Sequence, residues 1–348
     1  MLLMTLRDLQ YRARRVGLVT VLVALVLTLL YLMTGLAHHL NNEPYDALDN
    51  VGASSWILVE GVGGPFTAAS ALPLSVEATL EERTDGVVEP VVVTRGALAA
   101  PPDNDETLEV QVIGHRIGAL GQPTVVSGTG ISGPGQIVLD RSLDVDVGSE
   151  VAIGVERFEV VGLTSDSTVL AGQAFGFVEL ATAQQMAFQT DTVVTGFVSD
   201  GGFTTGDGFS ILTPDDVAEE TLGPIESAVA SIDLIRILLW FVAAIVMGAV
   251  IYLTALERQR DFAVLKAVGA SGRSLGAGLA VQAVVIALIA SITAAVAATL
   301  IEPVFPLPVT IPASALVTVP AIAVVVGLLS AMLGVRKVNR TDPAEAFS

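Results

Sequence analysis

Four long apolar runs without any charged residue constrain this chain more than any other feature. They are Val16–Ala37, Ile237–Ala255, Leu275–Ile301 and Ala313–Val335, with 22, 19, 27 and 23 residues respectively. An α-helix rises about 1.5 Å per residue, so each run is long enough to cross a hydrocarbon layer of about 30 Å. The pattern therefore predicts an α-helical membrane protein with four transmembrane helices.

The first run has an alternative interpretation as a cleaved signal peptide. Its length exceeds the usual apolar region of about 7–15 residues in such peptides, and no A-x-A cleavage site follows Ala37. The pair Arg14 and Arg15 has the form of a twin-arginine signal, but the apolar run behind it is typical of a retained anchor. The sequence favours a membrane span.

The basic residues predict the orientation of the spans. Most of the 17 Lys and Arg residues flank the apolar runs, namely Arg7, Arg12, Arg14, Arg15, Arg258, Arg260, Lys266, Arg273, Arg336, Lys337 and Arg340. Cytoplasmic loops carry such an excess of cations. We therefore expect a multi-pass protein of the cell membrane with both termini in the cytoplasm.

This orientation divides the chain into nine segments. They are a cytoplasmic amphipathic entry helix (1–15), transmembrane helix 1 (16–37), an acidic extracytoplasmic domain (38–231), transmembrane helix 2 (234–255), a cytoplasmic coupling loop or helix (256–274), transmembrane helix 3 (275–301), a short external turn (302–312), transmembrane helix 4 (313–335) and a cytoplasmic tail (336–348).

The segment between the first two spans predicts a large, strand-rich α+β domain. Short Val- and Ile-rich stretches alternate with Gly, Pro, Asp and Ser, as in Trp56–Val59, Val87–Thr94 and Phe158–Leu163, while Leu74–Arg83 and Leu180–Phe188 are typical of helices. Positions 37–231 hold 29 acidic and 5 basic residues, which argues against a nucleic-acid partner. The acidic surface either keeps the domain soluble or attracts a cationic partner, and the first interpretation is favoured.

Several motif-like strings in this domain lack the context that their chemistry needs. Gly128, Gly130 and Gly133 form G-x-G-x-x-G, but no helix follows to bind a phosphate. Asp144-x-Asp146-x-Gly148 begins like a calcium loop without the later ligands. The chain has no Cys and only three His, so we predict no metal site, no cofactor and no catalytic residues in it.

The loop after the second span has a composition that membrane anchoring alone does not explain. Residues 256–271 read LERQRDFAVLKAVGAS and combine acidic, basic and apolar side chains. This string resembles the signature of the FtsX-like ABC transporter permeases (MacB- and DevC-type, type VII), in which a short charged helix contacts the ATPase. The resemblance implies an ATPase-coupling surface formed by Glu257, Arg258, Arg260, Asp261, Phe262 and Lys266.

Three other segments resemble the same family. The tail VRKVNRTDPAEAF (335–347) is similar to the family's closing motif, LRDLQYRARR (6–15) to its entry helix, and QIVLDRSLDVDVGSEVAI (136–153) with FEVVGL (158–163) to a strand-turn-strand segment of its outer domain. The resemblance implies a non-catalytic permease subunit that pairs with a second copy of itself and with two copies of an ABC-type ATPase. The chain contains no G-x-x-x-x-G-K-[ST], so ATP and Mg²⁺ are expected in that separate ATPase.

The spans contain few polar residues. Gln282 is a candidate intramembrane contact for a substrate, although a hydrogen bond between helices is the favoured interpretation. Without a polar stripe, we expect motion of the outer domain to drive export or extrusion of a hydrophobic or large substrate. The alternative is a non-transporting, FtsX-like regulator of an outside partner such as a cell-wall hydrolase, with an adaptor or effector protein bound outside. A membrane-anchored receptor or scaffold is the third possibility.

Overall fold

The computed structural model describes residues 13–99, 107–203, 208–257, 264, 272–305 and 307–339 of the 348-residue chain. The chain forms two compact units. Leu40–Ala228 makes one of them, which we call the outer domain, and the parts of the chain before and after it make the other, the membrane unit.

Seven α-helices lie in the described part of the chain. They are α1 (Ala13–Val51), α2 (Glu77–Glu81), α3 (Leu180–Phe188), α4 (Pro214–Leu222), α5 (Glu226–Glu257), α6 (Gly272–Ile301) and α7 (Ala315–Asn339). Short 3-10 turns lie at Leu74–Val76, Arg141–Leu143, Gly223–Ile225 and Glu302–Val304. Four helical stretches, one at each predicted span, are long and apolar enough to cross a membrane.

The outer domain contains thirteen described strands. They are β1 (Ser55–Val59), β2 (Leu72–Pro73), β3 (Val88–Ala99), β4 (Thr107–His115), β5 (Ser127–Gly128), β6 (Gln136–Asp140), β7 (Glu150–Ile153), β8 (Glu156–Thr164), β9 (Thr168–Val169), β10 (Gln173–Glu179), β11 (Val193–Val194), β12 (Gly196–Ser199) and β13 (Phe209–Leu212).

Eleven of these strands form one mixed sheet within the described residues: nine follow the order β13-β1-β12-β3-β4-β10-β6-β8-β5, and β7 and β9 pair with strands of this path, β9 with β10. The pairs β4–β10 and β6–β8 are parallel. Strand β7 pairs with both β3 and β8, so β3, β4, β10, β6, β8 and β7 close into a ring of six paired strands. We call these six strands the strand ring. Strands β2 and β11 form a separate two-stranded sheet.

Alternating side chains supply two hydrophobic cores in the outer domain. In β6, Ile137 and Leu139 belong to one core and Val138 to the other, as the two-residue period of a strand requires. The first core also contains Leu80 of α2 and Ala183 of α3. The second core, which we call the aromatic core, contains the end of α1 and part of α4.

Close contacts between small residues hold the membrane unit together. Helices α6 and α7 pack along each other as a hairpin. A Cβ atom on Gly327 of α7 would lie 3.0 Å from Met247 Sδ of α5 and 3.4 Å from the carbonyl oxygen of Ala283 in α6, so three helices meet at this glycine. In membranes, helices approach through such small residues because no hydrophobic force drives them together.

Two contacts define the direction of α1 relative to α6. Thr28 Oγ1 lies 3.5 Å from the carbonyl oxygen of Ala294, and Gly35 packs against Val309 and Ile311, which follow α6. Positions later in α1 therefore contact positions later in the α6 region, so the two helices run in the same direction, opposite to that of α7.

The fold class predicted from sequence is confirmed: four apolar helices and a mixed, strand-rich domain between the first two. The predicted strands at Trp56–Val59, Val87–Thr94 and Phe158–Leu163 correspond to β1, β3 and β8. Helix α3 has the predicted bounds, whereas the predicted helix at Leu74–Arg83 is a 3-10 turn followed by the shorter α2. The main difference concerns α1, which continues beyond Ala37 to Val51 as one helix.

Candidate functional site

The predicted ATPase-coupling surface lies almost entirely outside the described residues. Glu257 is the last residue of α5, and its side chain is exposed. Arg258, Arg260, Asp261, Phe262 and Lys266 are not among the described positions, so their role stays a prediction.

Gln282, the predicted intramembrane contact, lies in α6 and is only 8% exposed. Its neighbour Ala283 belongs to the three-helix contact at Gly327. Among the described residues its amide makes no hydrogen bond. The structure therefore places Gln282 on a buried part of the helix surface, and neither of its two interpretations is decided.

The end of α1 lies in the aromatic core of the outer domain. Ala47, Leu48 and Val51 are each at most 2% exposed and pack in this core. The helix continues this far because the segment after the apolar run keeps buried residues at helical spacing. One continuous helix thus contains both a predicted span and a core element of the outer domain.

Ring contacts between aromatic side chains form the centre of this core. Trp56 and Phe66 meet edge to face with centroids 6.0 Å apart, and Phe66 stacks on Phe175 at 5.3 Å. Phe177 continues the series, 5.9 Å from Phe175 and 6.3 Å from the ring of His115. Offset and edge-to-face pairs of this kind stabilise a core beyond the area that they bury.

Helix α4 enters the same core and leads into the second predicted span. Its Val217 and Ala218 are fully buried there. Thr213 and Asp216 form a capping box at its first turn, and hydrogen bonds from Thr213 lower the pKa of the Asp216 carboxyl. The 3-10 turn Gly223–Ile225 then connects α4 to α5. Both chain segments that enter and leave the outer domain therefore pack in one core.

Two polar side chains of α1 hold a loop between β8 and β10. Glu43 is 2% exposed, and its two carboxylate oxygens accept hydrogen bonds from the backbone N–H groups of Ala171 (3.0 Å) and Gly172 (2.7 Å). Asn50 Nδ2 donates to the carbonyl oxygen of Ser165 (2.8 Å) and to Ser167 Oγ (3.0 Å).

Sequence reasoning did not identify Glu43 and Asn50. A signal was present, because Glu43, Ala47 and Asn50 follow the four- and three-residue spacing of one helical face. Polar side chains on a helical face that is buried need hydrogen-bond partners in the rest of the protein. The partners, however, lie more than a hundred positions away in the sequence.

A second polar cluster surrounds the end of β4. His115 is fully buried; its Nδ1 lies 2.9 Å from the carbonyl oxygen of Arg116, and burial lowers the pKa of its imidazole. Arg116 donates hydrogen bonds to both carboxylate oxygens of Glu77 and to Glu89, and these contacts raise the pKa of its guanidinium. The cluster ties α2 to the sheet.

The motif-like strings are turns in the structure. Gly128 ends the short strand β5, and no helix begins after Gly133. Asp144 has a left-handed backbone and ends a 3-10 turn, as a tight connection requires. Among the described residues no group of three or more His, Asp or Glu side chains is arranged to hold a metal ion.

Buried polar side chains are distributed differently in the two units. Within the described residues of the membrane unit, the buried polar side chains are Thr20, Thr28, Gln282, Ser291 and Ser330, and none of them carries a charge. The buried, hydrogen-bonded carboxylate of Glu43 instead connects α1 to a loop of the outer domain.

Known proteins resemble the chain over its whole length. It is 34% identical over 352 residues to an uncharacterized ABC transporter permease of Mycobacterium tuberculosis strain H37Rv, covering 100% of this chain and 99% of that protein. A second uncharacterized ABC transporter permease of the same strain is 32% identical over 357 residues, with the same coverage. HrtB of Staphylococcus epidermidis, a permease named for hemin transport, is 21% identical over 98% of this chain and 97% of its own length.

A family model and solved structures match parts of the chain. The model described as "FtsX-like permease C-terminal" matches residues 234–343. The periplasmic region of MacB from Actinobacillus actinomycetemcomitans aligns with a TM-score of 0.36 at 13% identity, covering 51% of this chain and 96% of that one. The extracellular domain of YknZ from Gram-positive bacteria aligns with a TM-score of 0.31 at 14% identity, covering 44% and 85%.

Proposed function

This chain belongs to the FtsX-like ABC transporter permeases, and from that membership we propose that it couples ATP hydrolysis by a separate ATPase subunit to motion of its outer domain. Two ATPases would bind two copies of the chain, with ATP and Mg²⁺ held by the ATPases. The motion would drive export or extrusion of a hydrophobic or large substrate.

One observation supports this mechanism above the others. Helix α1 is continuous from a predicted span to the aromatic core, where α4 also packs before it leads into α5. A helix transmits a displacement because its turns are hydrogen-bonded to one another, and in α1 the one donor missing beyond the first turn is that of Pro44. Motion imposed on the cytoplasmic ends of the spans would therefore reach the outer domain.

The polarity of the spans supports the proposed class of substrate. Because the described buried residues of the membrane unit include no charged side chain, they supply no ionic path for a small polar solute. Hemin, for which the relative HrtB is named, is a large and mostly apolar molecule, and this agrees with the class proposed.

The first test is purification of the chain from membranes with its bound subunits. We expect an ABC-type ATPase to co-purify and to change its rate of ATP hydrolysis in the complex. A chain that purifies without an ATPase would contradict the proposal and favour a receptor or scaffold. An ATPase that responds to a cell-wall partner, but to no apolar substrate, would favour the regulatory alternative.

A charge-reversal variant tests the coupling loop. The double change Arg258→Glu and Arg260→Glu should abolish the effect of the chain on the ATPase rate, because it reverses the charge of the surface that would contact the ATPase. Arg157→Glu, at an exposed position of the outer domain, is the matched control and should leave that rate unchanged. Normal ATPase stimulation by the double variant would contradict the assignment of these residues.

A further inference from the structure

The loop held by α1 has an unusual backbone. Between β8 and β10, three residues other than glycine have positive φ angles: Asp166 (58°), Leu170 (53°) and Ala171 (67°). Asp tolerates the left-handed region, but Leu and Ala seldom adopt it, since their Cβ atoms approach the backbone too closely. Such a conformation persists only where surrounding contacts impose it.

Two sets of contacts hold this conformation: β9 pairs with β10 on either side of the turn 170–172, and Glu43 binds the turn itself. The left-handed residues direct the neighbouring N–H groups of Ala171 and Gly172 to one side, and each carboxylate oxygen of Glu43 accepts one of them. Successive N–H groups in such turns form a cavity for an anion. Hydrogen bonds to a buried carboxylate are stronger than those between neutral groups.

The same loop is joined to the strand ring by a second carboxylate. Asp140, 2% exposed at the end of β6, accepts hydrogen bonds from the N–H groups of Ser167 (2.9 Å) and Ser142 (2.8 Å). Asn50 holds the loop at the same place through Ser165 and Ser167. Polar contacts thus run from α1 through the loop to β6.

We propose that Glu43 and Asn50 form a latch that fixes the strained loop 165–172 to α1 and makes the strand ring follow the motion of this helix. The proposal rests on the proposed function for its mechanical role, but the latch itself is a property of the outer domain. Without the latch, α1 would contact the ring only through the apolar side chains of the aromatic core, so motion of the helix would reach the loop and the ring less completely.

The latch is tested by hydrogen exchange of the full-length chain in detergent. Glu43→Gln removes one acceptor and places an amide donor against a backbone N–H, so exchange across 165–172 should rise by about tenfold or more. Asp49→Asn makes the same chemical change at an exposed position of α1 and should leave exchange in the loop unchanged. If residues 165–172 exchanged at the wild-type rate in Glu43→Gln, the latch would be overturned.

Asn50→Ala provides a second, independent variant. If Glu43 and Asn50 hold the loop as one unit, the double variant should raise loop exchange less than the product of the two single effects. If the increase in the double variant equalled the product of the two single increases, the two side chains would hold the loop separately, and the latch as a unit would be overturned.

The mechanical role is tested in the complex with the ATPase. A non-hydrolysable ATP analogue should change hydrogen exchange in the ring segment 136–164 of the wild type and of Asp49→Asn, and should change it several-fold less in Glu43→Gln, although the ATPase stays bound. An unaltered response in Glu43→Gln would overturn the role of the latch in coupling. Absence of any bound ATPase would instead contradict the proposed function, and the exchange measured on the free chain would still decide whether the latch exists.

Discussion

His115 and Arg116 show how adjacent residues of one strand end take opposite roles. The His115 ring is buried against Phe177, and its Nε2 is buried with no hydrogen-bond partner among the described residues. The Arg116 side chain is 39% exposed and forms ion pairs with Glu77 and Glu89. Burial therefore keeps the first side chain neutral, whereas the acidic partners keep the second charged.

The lowered pKa of His115 predicts a dependence of stability on pH. In the unfolded chain the imidazole takes up a proton below about pH 6.5, whereas in the folded domain it does so only at lower pH. Between the two pKa values the unfolded state binds more protons than the folded state. As the pH is lowered through this range, the free energy of unfolding therefore falls by about 1.4 kcal/mol per pH unit.

His115→Asn should remove this contribution, since an amide can donate the same hydrogen bond and does not titrate. Thermal unfolding of the purified chain at pH 7.5 and pH 5 would measure it, with the same substitution at His38 as a control. The prediction is wrong if wild type and His115→Asn lose equal stability on acidification.

At the scale of elements, the packing of α3 on β4 depends on the absence of one side chain. A Cβ atom on Gly114 would lie 2.2 Å from the Cβ of Ala183, far inside van der Waals contact. The helix and the strand therefore approach each other at a glycine–alanine contact, and Ala183 is fully buried there.

Gly114→Ala should destabilise the outer domain by about 1–3 kcal/mol, the usual cost of overpacking a core. Adding Ala183→Gly removes the clashing atom, so the double variant should be more stable than Gly114→Ala despite the poor helix propensity of glycine. Thermal unfolding of the three chains measures both effects. If Ala183→Gly destabilised the Gly114→Ala protein further, the clash between the two Cβ atoms would not be the cause of its lower stability.

The long helices reveal a second property at this scale. Apolar periodicity predicts where a span begins and where it ends at a charged residue, but α1 continues past its apolar run into the outer domain. Helical hydrogen bonding does not require apolar residues, and packing in a core stabilises a helix that the local sequence would end. In this part of α1, apolar residues pack in the aromatic core and polar residues bind the loop.

For the whole molecule, charge and hydropathy separate along the chain. The outer domain region holds 29 of the 36 acidic residues, while 11 of the 17 basic residues flank the apolar runs. By the positive-inside rule, this separation predicts that the basic segments lie in the cytoplasm and the acidic outer domain outside. That orientation stays a prediction and has a direct test.

Single cysteines can report the orientation because the natural chain contains none. Val155, 95% exposed between β7 and β8, is suited to the outside, and Ser348 to the cytoplasmic tail. In intact cells a membrane-impermeant maleimide should label Val155→Cys, whereas Ser348→Cys should react only after permeabilisation. The reverse pattern would invert the predicted topology.

The sequence by itself determined the architecture of this protein, because its strongest signals are local. A run of about 20 uncharged apolar residues predicts a helix in lipid, because its backbone groups must bond to one another there, and Val- and Ile-rich stretches between turn formers predict strands. The 256–271 string and the tail indicated the family, and relatives over the full length confirm it.

Only the tertiary structure decided which distant residues meet. The strand ring closes through pairs such as Leu98 with Ile153, and Glu43 reaches Ala171 and Gly172 across more than a hundred positions. Neither contact has a local signal, since a strand edge or a buried carboxylate can be satisfied by many partners. The choice among them is made by simultaneous packing of the whole domain, which no single segment encodes.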